Sequence, residues 1–314
     1  MQDYRGARRE GSFKKSGLPG GAVNETGATI TVAAVQLSSG SDVESNVNAA
    51  LELVLRAAKR GATYIQLPEY FNYLGPARRF NQVAESVPGP TTQRFGEIAK
   101  SRSVIIHIGS MLERSPDAAK CFNTSVIIDQ TGQVVATYRK IHLFDIDVPD
   151  EVVQQESDAI AAGAKLVVAS LTGFQLGMSV CFDVRFPEMY RELAVSGATV
   201  LAIPAAFNAA TGRVHWEVLV RARAIENHAY VVAAAQVGIT AEGIATHGHS
   251  LIVGPWGDVL AESKKHGPDL LVATLDMDAV RRRRSQIAVL DLRRPDLYRS
   301  PVATGESEAG ANRE

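Results

Sequence analysis

Gly61-Ala62-Thr63-Tyr64-Ile65-Gln66-Leu67-Pro68 is echoed later in the chain by Gly197-Ala198-Thr199-Val200-Leu201-Ala202-Ile203-Pro204. Each octapeptide reads as a helix stop, a short apolar strand and a terminating proline. Glycine ends a helix by taking the left-handed backbone, and an apolar run this short between two stops fits a strand buried on both faces. Two such units in one chain predict two related halves.

Outward from them, strands and helices alternate. Residues 29–37 (TITVAAVQL) form a β-branched apolar run, and a helix follows. Ser41 and Glu44 make a capping box, Val47, Ala50, Leu51, Val54, Leu55 and Ala58 fall on one helical face, and Gly61 supplies the stop. Further strand-like runs lie at 104–109, 124–129, 134–139, 166–169, 174–181, 198–203, 230–235, 250–253 and 270–275, with a hairpin turn at 130–133. Helices are predicted over 91–101, 187–196 and 214–227. More than ten strands with about five helices bury every face best as two stacked sheets with helices outside, a four-layer α-β-β-α sandwich of the α/β class. No Pro/Gly-rich linker divides this core, so it reads as one domain.

The 314 residues carry 33 Lys+Arg against 34 Asp+Glu, a formal net charge of −1. That balance lacks the basic footprint of a nucleic-acid binder. Arg281 to Arg284 read as a solvated helix face. Two cysteines build neither a disulfide framework nor a Cys-rich zinc site, and a reducing, cytoplasmic setting is expected. No run has the length of a membrane span, and the N-terminus lacks a signal-peptide stretch. Residues 1–27 read as a disordered extension, 28–280 as the folded domain, and 281–314 as a C-terminal extension and tail, loose after Thr304.

Cys181 ends an apolar strand and precedes Phe182-Asp183-Val184-Arg185-Phe186-Pro187-Glu188, which leads into a helix. A thiol there is placed like a nucleophile elbow, beside backbone N–H groups able to receive an oxyanion; a buried structural cysteine has the same sequence signature. Cys121 reads as filler. Glu69, directly after Leu67-Pro68, would be partly desolvated and suited to general-base work. Lys140 ends the run 134–139. Alone, each reads rather as a surface carboxylate or an exposed strand-end lysine; the set of three with Cys181 points to a site.

Leu67-Pro68-Glu69, Tyr138-Arg139-Lys140-Ile141-His142-Leu143 and the segment from Gly177 to Glu188 resemble, in order, the three signature blocks of the nitrilase superfamily of carbon–nitrogen hydrolases. The resemblance runs from about Ile30 to Tyr298. It implies the four-layer sandwich reached above, a Glu69, Lys140, Cys181 triad, and a supporting Glu156. KIHLFDIDVP at 140–149, with Gln155-Glu156-Ser157, is similar to the branch holding omega-amidases and deaminated-glutathione amidases. Arg213 and Asp150 depart from the branch pattern near the expected site entrance.

That resemblance implies attack by Cys181 on an amide, with Lys140 lowering the thiol's pKa and Glu69 accepting its proton. Lys140 and the Phe182 backbone N–H would hold the oxyanion, and a thioester would follow loss of ammonia. No cofactor or metal is expected. The substrate would be a small carboxylated omega-amide, with Arg185, Phe207, Arg213 and His215 as candidate pocket residues. N-carbamoyl hydrolysis, nitrile hydrolysis and a non-enzymatic binding module are the alternatives. A Ser179 hydrolase is disfavoured by an incomplete GxSxG pattern, and a Cys181–His142 pair or a His247–His249 metal site has weaker support. Members of this superfamily pair through helices near the site, so a homodimer or higher homo-oligomer is expected.

Overall fold

The computed structural model describes residues 29–117, 119–148, 152–240 and 243–298; the extension at 1–27, Asp150 and the tail after Thr304 lie outside them. The first sheet joins β1 (Thr29–Gln36), β2 (Tyr64–Gln66), β3 (Ile105–Arg114), β4 (Cys121–Ile128) and β5 (Val134–Arg139), with β16 (Asp269–Asp276) beside β1 at the other edge. A separate hairpin follows, β6 (Asp145–Val148) with β7 (Val152–Gln155). The second sheet contains β8 (Val168–Leu171), β9 (Phe174–Met178), β10 (Val200–Ala202), β11 (Tyr230–Ala233), β14 (Leu251–Val253) and β15 (Val259–Glu262). Between β11 and β14 the chain leaves it as a second hairpin, β12 (Val237–Ile239) with β13 (Ala245–His247).

The two six-stranded sheets have the same internal plan. β2 is flanked by parallel β1 and β3, and β10 by parallel β9 and β11, while the outer pairs are antiparallel. The echoed octapeptides thus supply the corresponding central strand of each sheet.

Helices α1 (Val43–Lys59) and α3 (Pro90–Arg102) cover the outer face of the first sheet, with the one-turn α2 (Phe80–Val83) between them in sequence. Helices α4 (Pro187–Val195) and α5 (Ala209–Asn227) cover the second sheet, and α6 (Met277–Gln286) and α7 (Pro295–Tyr298) follow the last strand. β1 shows why its middle, Val32 to Val35, is apolar. Ala33 and Val35 pack with α1 and α3, whereas Val32 and Ala34 turn into the core between the sheets. Period-two alternation with both faces buried leaves these four residues no solvent-facing position.

Local details correct the sequence reading. The N-cap of α1 is Asp42, whose side chain accepts from the Ser45 N–H, rather than Ser41. The buried stripe is Val47, Ala50, Leu53, Val54 and Ala57, so Leu53 and Ala57 take the places expected of Leu51, Leu55 and Ala58. This helix is apolar around more than one face, and tertiary packing chose between two overlapping stripes. The arginine run lies on α6 but is not wholly solvated. Arg281 pairs with Asp278 and Arg282 with Asp276, Arg283 sits over the Trp256 ring, and Arg284 turns inward to donate to Ala198 O and Asn227 O.

Candidate active site

Three strands of the sandwich deliver the three singled-out residues to one place. Glu69 follows the end of β2, Lys140 directly follows β5, and Cys181 follows β9. The segment carrying Glu69 crosses β3 so closely that a Cβ at Gly109 would collide with Leu67 O and Pro68 O. Beside it Tyr70 adopts φ 52°, and Cys181 adopts φ 48°. Left-handed backbone at a non-glycine residue costs about 1–3 kcal/mol, so the surrounding structure holds both turns in place.

The Cys181 turn is held by several bonds. Its backbone N–H donates to Pro204 O at 2.8 Å, which joins it to the proline closing the second octapeptide. Asp183, fully buried, accepts from the Val180 N–H at 2.8 Å, Tyr138 OH at 2.7 Å and the His142 N–H at 3.2 Å. His142 Nδ1 is 2.8 Å from the same carboxylate, and its ring stacks on Phe186. His142 is therefore engaged with Asp183. Ser179 Oγ donates to Ala202 O and contacts Tyr190 OH, buried in the core.

Lys140 Nζ lies 3.0 Å from Glu69 Oε1 and 2.8 Å from Glu156 Oε2. Asn123 Nδ2 donates to Glu69 Oε1 at 2.9 Å and to Glu156 Oε1 at 3.3 Å. The Ala206 N–H donates to Glu69 Oε2 at 2.8 Å, while Tyr70 OH and the Phe144 N–H each donate to Glu156 at 2.7 Å. Cys181 lines the same cavity as Glu69, Lys140 and Glu156. Sequence reading thus placed together four residues that the fold does bring together, Glu69, Lys140, Glu156 and Cys181.

The electrostatics depart from expectation at the thiol. Burial and the Glu69 charge push Cys181 well above the usual thiol range, outweighing the pull of Lys140. Two carboxylates share the single ammonium, so little of its charge remains for sulfur. Burial would discharge Lys140, yet Glu156 and Glu69 hold it well above the ordinary lysine value. Burial likewise opposes the charge on Glu156, and Lys140 reverses that, leaving its pKa lowered. The raised value keeps the resting sulfur a thiol, beside a carboxylate that is paired with Lys140.

Cys181, Glu69, Lys140 and Glu156 line one side of a cavity of about 270 Å³. Leu74, Phe80, Phe144, Phe182, Phe207 and Ile244 give it apolar walls. Gln154 of β7, Asn208 and Thr211 at the start of α5, and Thr240 and Thr246 around the second hairpin contribute polar groups. Of the expected pocket residues, Phe207 is on the wall. Arg185 is not; it lies over the Phe182 and Phe207 rings, 5.7 and 5.1 Å from their centroids, with Nη1 3.3 Å from His215 Nδ1. Arg213 and His215 are exposed on α5 outside the wall. His247 and His249 stack on one another, and His249 pairs with Glu262; no group of three potential metal ligands occurs among the described residues.

Asn123, Tyr70 and the cavity residues Thr240, Ile244 and Thr246 of the second hairpin were not singled out from sequence. Strand β4 begins at Cys121, earlier than read, and so includes Asn123, Thr124 and Ser125, three consecutive buried polar residues. Such a polar head on an otherwise apolar strand was the available signal.

Residues 31–285 match the family model for carbon–nitrogen hydrolases. The chain is 39% identical over 272 residues to the deaminated glutathione amidase of Bos taurus, covering 85% of this chain and 83% of that protein. It is 36% identical over 271 residues to the omega-amidase NIT2 of Bos taurus, covering 86% and 97%. Among solved structures it is similar to the NitFhit protein of C. elegans, with a TM-score of 0.81 and 36% identity over 87% of this chain and 66% of that one. It is also similar to an amidase from a Nesterenkonia species, with a TM-score of 0.73 and 28% identity over 89% and 99%; that structure carries a covalently added acetamide moiety at its active-site cysteine.

Proposed function

The chain belongs to the carbon–nitrogen hydrolase family and is a hydrolase of carbon–nitrogen bonds, and from that premise we propose that it releases ammonia from a small carboxylated omega-amide through a thioester on Cys181. The observation that carries this reading is the one cavity that Cys181, Glu69 and Lys140 line together, with Lys140 Nζ 3.0 Å from Glu69 Oε1.

With a raised thiol pKa, proton transfer and attack go together. Glu69 takes the Cys181 proton as sulfur bonds to the amide carbon, and the carbonyl oxygen becomes an oxyanion. Lys140 Nζ and the Phe182 N–H, which the first-turn position leaves without an intrahelical partner, stabilise that charge. Protonated Glu69 returns its proton to the leaving nitrogen, the C–N bond breaks, and ammonia departs. Water then gives a proton to Glu69 and attacks the thioester, and that proton returns to sulfur as the acid leaves.

Arg185 is the group best suited to the substrate carboxylate. It is partly desolvated, has no carboxylate partner among the described residues, and adjoins two rings of the cavity wall. A guanidinium so placed offers a bidentate pair to a carboxylate reaching out of the cavity. An ammonia-release screen of the purified protein against 2-oxoglutaramate, deaminated glutathione, N-carbamoyl amino acids, neutral aliphatic amides and nitriles tests the reading. The carboxylated omega-amides should be turned over fastest; faster nitrile or carbamoyl turnover would replace it.

A further inference from the structure

Asn123 has no part in the steps above, yet it touches both carboxylates that flank Lys140. We propose that Asn123 is a positioning residue that decides which oxygen of Glu69 receives the nucleophile's proton. The inference rests on the assignment of Glu69 as the base for Cys181.

One amide nitrogen, with two hydrogens in a fixed plane, reaches Glu69 Oε1 at 2.9 Å and Glu156 Oε1 at 3.3 Å. Its own backbone carbonyl accepts the Lys140 N–H at 2.9 Å. Asn123 thus ties the backbone of the ammonium residue and both of its counter-charges to a single residue of β4, beside the edge strand β5. Flipping the amide would set its oxygen against two carboxylates, so the donor orientation is fixed by chemistry. Asn123 is completely buried, and its Oδ1 has no partner. An unpaired buried acceptor is costly, and here the geometry that leaves it unpaired is the one that aims both N–H groups at the carboxylates.

The consequence lies in the two oxygens of Glu69. Oε1 is occupied by Lys140 and Asn123, whereas Oε2 receives one N–H, that of Ala206. A proton leaving sulfur therefore goes to Oε2, where one lone pair remains, and returns from Oε2 to the leaving nitrogen. Without Asn123, Oε1 keeps only the ammonium, the carboxylate loses one of its three restraints, and Glu156 loses a donor as well. Cys181 and Lys140 would be intact but the base misdirected.

The test compares Asn123→Ala and Asn123→Asp with wild type, Cys181→Ala and Glu69→Gln in steady-state ammonia release on the best substrate of the screen, between pH 5 and 9. Asn123→Ala should lower kcat by about 10–100-fold with KM within about threefold, the scale of a misaligned catalytic group. The acid limb of its kcat/KM profile should move to higher pH, because two donors to buried carboxylates have gone. Asn123→Asp, of equal size, should be at least as slow at neutral pH, because it sets a third carboxyl beside one ammonium. A purely structural role would lower the melting temperature and leave the pH profile in place. If Asn123→Ala does not fold, Asn123→Ser is read by the same criteria, and loss of fold in both overturns the proposal. Wild-type kcat and pH profile in Asn123→Ala, with Cys181→Ala inactive, also overturns it while sparing the Cys181 reading; activity in Cys181→Ala removes that reading itself.

Discussion

Glu156 Oε2 sits 2.8 Å from Lys140 Nζ, with both side chains almost wholly removed from water. Glu156 therefore competes with Glu69 for the same ammonium. In Glu156→Gln the ammonium's charge would fall on Glu69 alone and make it a poorer acceptor for the Cys181 proton. We expect kcat to fall by about 100-fold with KM little changed, measured by ammonia release. The fold should survive, since one carboxylate still neutralises the buried ammonium. A Glu156→Gln enzyme with wild-type kcat would assign Glu156 to stability alone.

The legible part of this site was the part placed at strand ends. Glu69 and Cys181 each follow an apolar run, where a chemistry-bearing side chain stands out against its neighbours, whereas Lys140 follows the partly exposed strand VVATYR and stands out only as part of its block. Glu156 was reached only through the resemblance, because Gln154-Gln155-Glu156-Ser157 has no pattern that distinguishes it from a polar loop. Asn123 was missed because β4 starts before the apolar run that was read as its beginning. Thr240, Ile244 and Thr246 reach the cavity through a hairpin that pairs with neither large sheet, and three-residue strands carry almost no periodicity. The echoed octapeptides were informative for a different reason. A strand with parallel neighbours on both sides is buried on both faces, and that burial writes an uninterrupted apolar run into the sequence.

Cys181→Ala should abolish turnover. Cys181→Ser should retain almost none, because a hydroxyl in this buried setting gives up its proton less readily than the thiol already does. In rapidly quenched wild-type protein, intact-mass spectrometry should find the acyl group of the substrate added to Cys181. Turnover at the wild-type rate in Cys181→Ala would end the thioester reading.

Acid should destabilise the fold through a histidine remote from catalysis. His107, buried between Tyr64 OH and Ser125 Oγ, is lowered by burial from 6.5 to about 3. Between those values the unfolded chain binds a proton that the folded chain refuses, so stability falls as the pH drops from 6.5 towards 3, by ~4 kcal/mol in all. His247, lowered by burial and by His249 to about 4, adds to the same trend. The lowered Glu156 contributes stability that is lost progressively as the pH falls below its ordinary value of 4.5. Melting temperatures from pH 7 to 3.5 should decline steeply in wild type and less steeply in His107→Gln, which cannot titrate. Parallel slopes would exclude His107 as the cause.

Helix α5 leaves Val214 and Val218 exposed at 69% and 67%, and Leu292, Leu297 and Tyr298 are exposed near the end of the described chain. Apolar side chains one helical turn apart on an otherwise solvated face support the proposal of a homo-oligomer, most simply a two-fold dimer. Light scattering at micromolar concentration should return twice the chain mass. Val218→Lys should shift the population to monomer, and a monomeric wild type would remove the proposal.

On the proposed function, substrate choice should turn on Arg185, because Lys140 is the cavity wall's own cation and is already shared by two carboxylates. A substrate carboxylate held there would orient the amide carbonyl against Cys181, so its contribution should appear in kcat as well as KM. Arg185→Glu should lower kcat/KM for the preferred carboxylated omega-amide by at least about 100-fold, since an attractive pair becomes a repulsive one near the reacting centre. Turnover of a small neutral amide should change by less than about threefold, because the groups around the thiol are untouched. Arg185→Lys should fall between wild type and Arg185→Glu on the carboxylated substrate, keeping the charge and losing the bidentate fork. Equal losses on charged and neutral amides would make Arg185 a support for the Phe182 and Phe207 rings, and the carboxylate would then have to be held from the Thr211 and Thr246 side of the cavity.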